Sequence, residues 1–184
     1  MKALKLFFLG LMVAGLSFAA CKDEEDTGTC SDGIKNQDET GVDCGGVCNA
    51  CREGAQGTWK SYPVAPILST FADSIIATFN TNNTYEVAQW KSGSKVTLTG
   101  TYVQTKSTTG SIYTIKLNQT SPTALTAEGM FEVSSDDATM KYEVVQTTPA
   151  IGANPPTPAA GFGSTTFNGA ALGAANIQNY TRVK

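Results

Sequence analysis

A regular alternation of apolar and polar residues is the feature that most constrains how this chain can fold. From residue 57 onward, apolar side chains recur at every second position in a series of short runs. The clearest runs are 75–79, 96–102, 113–117 and 140–144. A period of two places these side chains on one face of a β-strand, so that each strand buries one face and exposes the other. The pattern predicts an all-β, antiparallel domain.

Turn-forming residues separate these runs. NTNN at 80–83 and SSDDA at 134–138 lie between consecutive runs, where they connect neighbouring strands. Gly100 lies inside a run, where glycine indicates a bulge or a bend. An opening strand at 57–62 and a final strand at 177–183 bring the number to about eight, at which an up-and-down barrel holds side chains or one small ligand. A β-sandwich is the alternative.

Two segments interrupt the alternation. PVAPILSTFA at 63–72 is expected to form a short helix or a lid. The segment 149–176 carries no charge and is rich in glycine, alanine, proline, serine and threonine. Long loops inside compact domains are functional or poorly ordered. We expect the apolar residues of this loop to fold over the barrel mouth. These residues are Ile151, Phe162, Phe167 and Leu172.

Residues 1–20 have the composition of a secretory signal peptide. Two lysines precede an uncharged apolar run at 6–16, and two alanines come directly before Cys21. The apolar run is too short to span a bilayer comfortably as a helix. Small residues followed by cysteine resemble the lipobox of bacterial lipoproteins, and this resemblance implies that Cys21 carries a lipid. The alternative is an ordinary signal peptide that leaves Cys21 as a free thiol.

The sequence KDEED directly follows Cys21. A run of charges is usually solvated, so residues 21–29 are predicted to form an acidic tether. The run also resembles the acidic export signal of surface lipoproteins in some Gram-negative bacteria. This resemblance implies an outer-membrane lipoprotein that faces outward and is attached to the membrane through the lipid on Cys21.

The other four cysteines lie within 30–51 and are predicted to form a disulfide module. They are Cys30, Cys44, Cys48 and Cys51. Secretion places them in an oxidising compartment, which favours disulfides over zinc. Three pairings are possible, and avoiding the small ring of a Cys48–Cys51 bond favours Cys30–Cys48 with Cys44–Cys51. A redox function for the C-x-x-C spacing would need a βαβ fold, which the strand pattern does not indicate.

Oxygen-bearing side chains are crowded in the same module. Hard cations prefer oxygen ligands, so calcium is the one cofactor predicted, although no EF-hand pattern is present and a solvated acidic turn is the alternative. The candidate ligands are Asp32, Asn36, Asp38 and Asp43. The run C-x-D-G-x-x-N-x-x-E-T-x-x-D-C-G-G-x-C-x-x-C, residues 30–51, resembles a short module of bacterial surface and secreted proteins. That resemblance implies no activity.

The ends of the 57–184 domain resemble those of lipocalins. GTWKSY at 57–62 is similar to the opening G-x-W motif, and NYTRVK at 179–184 places Arg182 in the final strand. The resemblance implies a lipocalin-like barrel in which Arg182 packs over Trp59 through a cation–π contact and closes one end. It also implies an internal ligand site with aromatic walls. The candidate ligand-binding residues are Phe79, Tyr85, Trp90, Tyr102 and Tyr113.

Composition excludes several functions. The chain has no histidine, which excludes Ser-His-Asp catalysis and histidine-ligated zinc. Residues 52–184 have nine basic and eight acidic residues, so no basic surface for nucleic acid is expected. The pair Glu128 and Glu132 would lie too far apart on one strand for a retaining glycosidase, and no enzyme activity is predicted. We expect a barrel that binds a small apolar or amphipathic ligand, or a filled barrel that contacts a macromolecular partner through 149–176.

Overall fold

The computed structural model describes residues 30–36, 38–48 and 51–183. The chain divides into two compact units, the first ending at Cys51 and the second beginning at Arg52. The predicted signal peptide at 1–20, the acidic tether at 21–29 and the lipid attachment residue Cys21 lie outside the described residues.

Strands account for most of the second unit. In chain order they are β1 (Gly57–Ser61), β2 (Ser74–Phe79), β3 (Thr84–Lys91), β4 (Ser94–Lys106), β5 (Ile112–Ser121), β6 (Leu125–Val133), β7 (Thr139–Thr148), β8 (Ala153–Asn154), β9 (Thr166–Phe167), β10 (Ala170–Ala171) and β11 (Gln178–Arg182). Two short 3₁₀ helices, Pro66–Leu68 and Gly173–Asn176, precede β2 and β11. None of the helices in the described part of the chain has the length and apolar character needed to cross a bilayer.

Eight of these strands close into an antiparallel barrel. Their order is β1-β11-β7-β6-β5-β4-β3-β2, so each strand from β1 to β7 pairs with its neighbour in sequence, except that β11 lies between β1 and β7. The predicted all-β barrel of about eight strands is confirmed. Every second residue of β2 is buried, namely Ile75, Ala77 and Phe79. The alternation of apolar residues therefore determines which side chains the barrel encloses.

Glycine permits two close approaches in the barrel. The pairing of β4 with β5 changes register between Thr99 and Gly100, as the glycine inside that run predicts. A side chain at Gly100 would collide with the backbone carbonyl of Asn118. Gly57, at the start of β1, has a φ of 114° and lies against the guanidinium of Arg182, where no side chain fits. The glycine of the G-x-W motif therefore makes room for the arginine.

The segment 149–176 does not cover the barrel mouth. Its strands β8, β9 and β10 form a separate three-stranded sheet. Ile151 and Phe167 are exposed, and the ring of Phe162 lies 4.5 Å from Nζ of Lys141, which points outward from β7. The expectation that these apolar residues fold over the mouth is therefore wrong for Ile151, Phe162 and Phe167, and the fourth, Leu172, is half-buried and does not line the barrel interior.

A buried carboxylate explains where this segment lies. Glu143 is fully buried and points outward from β7. Its Oε2 accepts a hydrogen bond from the amide of Gly163 at 2.6 Å, and its Oε1 accepts bonds from the amide and hydroxyl of Thr165 at 3.1 and 2.6 Å. A buried charge has to be hydrogen-bonded, and the loop backbone supplies the donors. The polar anchor therefore holds the loop against the outer wall.

The first unit is held by two disulfides. Cys30 pairs with Cys48, and Cys44 pairs with Cys51, which is the pairing favoured by avoiding the smallest ring. Glu39 is buried in this unit, and its Oε2 accepts hydrogen bonds from the amides of Asn36 and Asp43 at 3.3 and 3.1 Å. So short a segment buries little apolar surface, and covalent bonds replace a core.

Replacing Glu143 tests the anchor. In Glu143→Gln the amide presents donors toward the donors of the loop, so at least one hydrogen bond to a charged acceptor is lost. We expect the free energy of unfolding to fall by about 2–3 kcal/mol, and amide hydrogen exchange to rise across 149–176. Glu86→Gln, which alters an exposed carboxylate on β3, is the matched control and should change neither quantity. Wild-type exchange in Glu143→Gln would show that the carboxylate does not hold the loop.

Candidate binding pocket

An apolar cavity of about 180 Å³ lies inside the barrel. Inward-facing residues of β2 to β7 and of β11 form its walls, with Leu68 and Asn176 contributed by the two 3₁₀ helices. Leu68, Gln89 and Leu125 are half-buried lining residues, whereas Ile75, Ala77 and Phe79 are almost fully buried. The half-buried residues therefore mark the opening, and the buried ones mark the inner end.

Aromatic rings form the inner end. The ring of Phe79 lies 6.3 Å from each of Tyr85 and Tyr142, and 5.2 Å from Tyr102, measured between ring centroids. The rings of Tyr142 and Tyr180 meet edge-on at 5.8 Å. Edge-on and tilted contacts of this kind are favourable and fix the rings in place. The cavity therefore has a rigid aromatic wall.

Two of the five candidate ligand residues, Phe79 and Tyr85, line the cavity, and the other three do not. Trp90 follows the inward-facing Gln89, so it points outward, where Nζ of Lys95 lies 5.5 Å from its ring. Tyr102 faces inward but lies outside the lining, and its hydroxyl donates to the carbonyl of Asn80 at 2.9 Å.

Tyr113 also lies away from the cavity. Its ring stacks on Phe131 with centroids 5.2 Å apart, and Nζ of Lys106 lies 5.9 Å from it. Lining residues missed from the sequence include Tyr142, Gln178 and Tyr180. Tyr142 shares a face with Met140 and Val144, so the alternation alone was enough to find it.

Burial sets the protonation of the cavity tyrosines. It raises the pKa of Tyr85 to about 12. It also raises the pKa of Tyr142 and of Tyr180, and for Tyr142 the neighbouring tyrosines raise it further. Deprotonation would place a charge in an apolar site, which is unfavourable. The three hydroxyls are therefore neutral across the physiological range.

Trp59 and Arg182, the two residues predicted to close one end of the barrel, contact each other away from the cavity. The guanidinium carbon of Arg182 lies 3.9 Å from the ring centroid of Trp59. Nη1 and Nε of Arg182 donate to the carbonyls of Gln56 and Asp137 at 2.9 and 2.7 Å, and Nη2 forms an ion pair with the Asp137 carboxylate. Trp59 donates through Nε1 to the carbonyl of Ala55 at 2.7 Å. Neither Trp59 nor Arg182 lines the cavity.

Two of the four candidate calcium ligands, Asp32 and Asp43, accept hydrogen bonds from the backbone of their own module. Asp43 accepts two hydrogen bonds of 3.0 Å from the amide of Gly33. Asp32 accepts from the amide of Ile34 at 2.9 Å and from Nδ2 of Asn36 at 3.0 Å, and Asp38 is exposed. Within the described residues, no group of three or more histidine, cysteine, aspartate or glutamate side chains is placed to hold a metal ion. Calcium binding stays a prediction.

Glu128 and Glu132 lie on β6. Oε1 of Glu128 forms an ion pair with Nζ of Lys116 at 3.1 Å, and Glu132 lies opposite Lys141 in the adjacent strand.

Comparison of the chain with protein-family models, with curated proteins and with solved structures gives no match.

Alkaline titration tests the burial of the cavity tyrosines. A tyrosine pKa that is higher in the folded protein than its unfolded value of about 10 adds stability fully below about pH 10. That contribution is lost as the pH rises through the folded value, about 12 for Tyr85. We expect the free energy of unfolding to fall across this interval. Tyrosinate absorbance of the folded protein near pH ~11 should stay below that of the unfolded chain.

Tyr142→Phe should reduce the slope of stability against pH. Tyr62→Phe alters an exposed ring and is the matched control. If all six tyrosines ionise together with the folded protein intact, the hydroxyls are not buried as described.

Proposed function

We propose that this chain is a lipid-anchored bacterial surface lipoprotein whose lipocalin-like barrel binds a small apolar or amphipathic molecule. The observation that carries the ligand-binding proposal is the cavity of about 180 Å³ inside the barrel. A filled barrel would have no such space, and small-molecule sites are characteristically concave and mostly apolar with a few polar groups. The contact of Arg182 with Trp59 supports the resemblance to lipocalins.

The surface location rests on the sequence. The apolar run at 6–16, the small residues before Cys21 and the acidic run after it support export and lipidation. The disulfide-linked unit supports an oxidising compartment. The predicted location is the outer membrane of a Gram-negative bacterium, with the barrel outside the cell and the lipid on Cys21 as the membrane contact.

A second function is contact with a macromolecular partner through 149–176. The exposure of Ile151 and Phe167, at 43% and 41%, favours it. The cavity does not, because that hypothesis expects a filled interior. The two functions differ in their response to filling the cavity, since partner binding on the outer wall would be unaffected.

Filling the cavity tests ligand binding. Ala127 lies in the lining and is 9% exposed, so Ala127→Leu adds three carbon atoms to the space that a ligand would occupy. In the full chain with Cys21→Ser, which prevents lipidation, we expect the binding of small cyclic hydrocarbons to weaken at least about tenfold in a calorimetric titration. Ala124→Leu, in the exposed β5–β6 turn, is the matched control. Equal binding by both variants would contradict a ligand site inside the barrel.

Mass spectrometry tests the anchor. The protein produced in a Gram-negative host should begin at Cys21, and the cysteine should carry the mass of an acylated diacylglyceryl group. Cys21→Ser should move the protein from the membrane fraction to the soluble fraction, and protease added to intact cells should digest only the anchored form on the surface. An unmodified thiol at residue 21 would contradict the lipoprotein proposal.

A further inference from the structure

One fully buried side-chain nitrogen in the cavity wall has no hydrogen-bond partner among the described residues. Gln178 is 3% exposed and lines the cavity. Its Oε1 accepts a hydrogen bond from the backbone amide of Ala65 at 2.5 Å. Because an amide N–H needs an acceptor, this bond fixes the orientation of the side chain, and Nε2 occupies the other position. Nε2 is buried and has no hydrogen-bond partner within the described residues.

A buried donor without a partner, such as Nε2 of Gln178, is unusual in a folded protein. Nearly all buried polar side-chain atoms in folded proteins have a partner, and leaving a donor unpaired lowers stability. The neighbouring amide of Gln119 shows the usual arrangement, since its Nε2 donates to the carbonyl of Thr123 at 2.8 Å. Both side chains line the cavity, and Nε2 of Gln178, unlike that of Gln119, has no hydrogen-bond partner within the described residues.

Three hydroxyls share the cavity with Gln178. Tyr85, Tyr142 and Tyr180 line it, and in the described part of the chain their hydroxyls make no hydrogen bond. Tyr102, outside the lining, does use its hydroxyl, as a donor to Asn80. Because burial raises the pKa of each cavity tyrosine, the hydroxyls keep their protons. A phenol hydroxyl can donate as well as accept, so these three hydroxyls add donors to Nε2 of Gln178, the buried nitrogen of the lining that has no partner among the described residues.

Charge restricts what these donors can bind. Among the described residues that line the cavity, none is charged. An ion would be buried there without a countercharge, which is strongly unfavourable. Size restricts the ligand further, because an apolar cavity of about 150 Å³ is known to hold one benzene ring. A space of about 180 Å³ accepts a single ring or a short chain.

We propose that the cavity binds a small neutral molecule, a single ring or a short aliphatic chain that carries one carbonyl-type oxygen, and that this oxygen accepts a hydrogen bond from Nε2 of Gln178. The proposal deepens the proposed function and rests on it. The aromatic wall contacts the apolar part of the molecule, and the tyrosine hydroxyls supply further donors near the oxygen. Ordered water is the competing occupant, since water also accepts hydrogen bonds.

Two neutral ring compounds of similar shape and one charged ring compound test which kind of molecule occupies the cavity. Cyclohexanone has a carbonyl oxygen where methylenecyclohexane has a CH₂ group, and cyclohexanecarboxylate adds a charge. In the full chain with Cys21→Ser, we expect both neutral rings to bind and the carboxylate not to bind at neutral pH. In ¹⁵N-resolved spectra, the side-chain NH₂ signal of Gln178 should shift with cyclohexanone and stay near its free position with methylenecyclohexane.

Variants measure the contribution of the donor. Gln178→Met removes it, together with the acceptor of the Ala65 amide, with little change in volume, and should weaken cyclohexanone binding about tenfold while changing methylenecyclohexane binding less than about threefold. Gln119→Met alters a lining amide whose nitrogen already has a partner, the carbonyl of Thr123, and should affect the two rings equally. The spectral measurement on Gln178 itself needs no variant, so it still decides the question if a variant fails to fold.

The outcomes separate the two proposals. If both neutral rings bind but neither the Gln178 signal nor Gln178→Met distinguishes them, ligand binding stands and the assignment of the acceptor is wrong. Tighter binding of the carboxylate than of cyclohexanone would overturn the requirement for a neutral molecule. If neither ring binds, and Gln178 shows a cross-peak to bound water, the cavity holds water and both proposals fail.

Discussion

The closure of the barrel depends on the position of one arginine. β11 has only five residues, yet it is the strand that joins β7 to β1. Arg182, its last residue, stacks on Trp59 of β1 and binds Asp137 in the turn between β6 and β7, so one side chain ties the closing strand to both of its neighbours. The side chain is 7% exposed, and burial lowers its pKa from a very high starting value, so it stays charged. A buried cation whose three nitrogens each donate a hydrogen bond fixes the register of the last strand, and the residues of β11 that face the cavity then follow from that register.

The second constraint links the outer wall to the cavity. Thr165 donates to Glu143, and its hydroxyl oxygen in turn accepts a hydrogen bond of 3.2 Å from Nδ2 of Asn176, which also donates to the carbonyl of Val144. Asn176 lies in the lining of the cavity. The uncharged segment before β11 is therefore held at its middle by Glu143 and at its end by Asn176. Disturbing the anchor on the outside would reach the lining of the cavity through these two bonds.

Alternation predicted the barrel because every strand has one face inside, and the short motifs around Trp59 and Arg182 predicted which ends meet. The same rule, applied strictly, would have placed Trp90 outside and Tyr142 inside. The position of 149–176 was not predictable, because it depends on a buried carboxylate, and Glu143 looks in the sequence like any solvent-facing residue of a strand. Gln178 was missed for a related reason: a polar residue at an inward position breaks the pattern, and only the structure shows that its oxygen is bound and its nitrogen is not.

The buried polar groups of the barrel fall into two classes that have different consequences. Arg182, Glu143 and Ser61 each make two or more hydrogen bonds, so their burial stabilises a particular arrangement of chain segments. Gln178 makes one bond that positions it, and its buried Nε2, in the wall of the cavity, has no partner among the described residues. A donor held rigidly in an apolar cavity gives little to stability, but it discriminates strongly between ligands, because a molecule without an acceptor leaves it unpaired. Under the proposed binding function, this donor would select for a molecule with an acceptor, while the buried cluster that includes Trp59 and Phe131 fills another part of the interior.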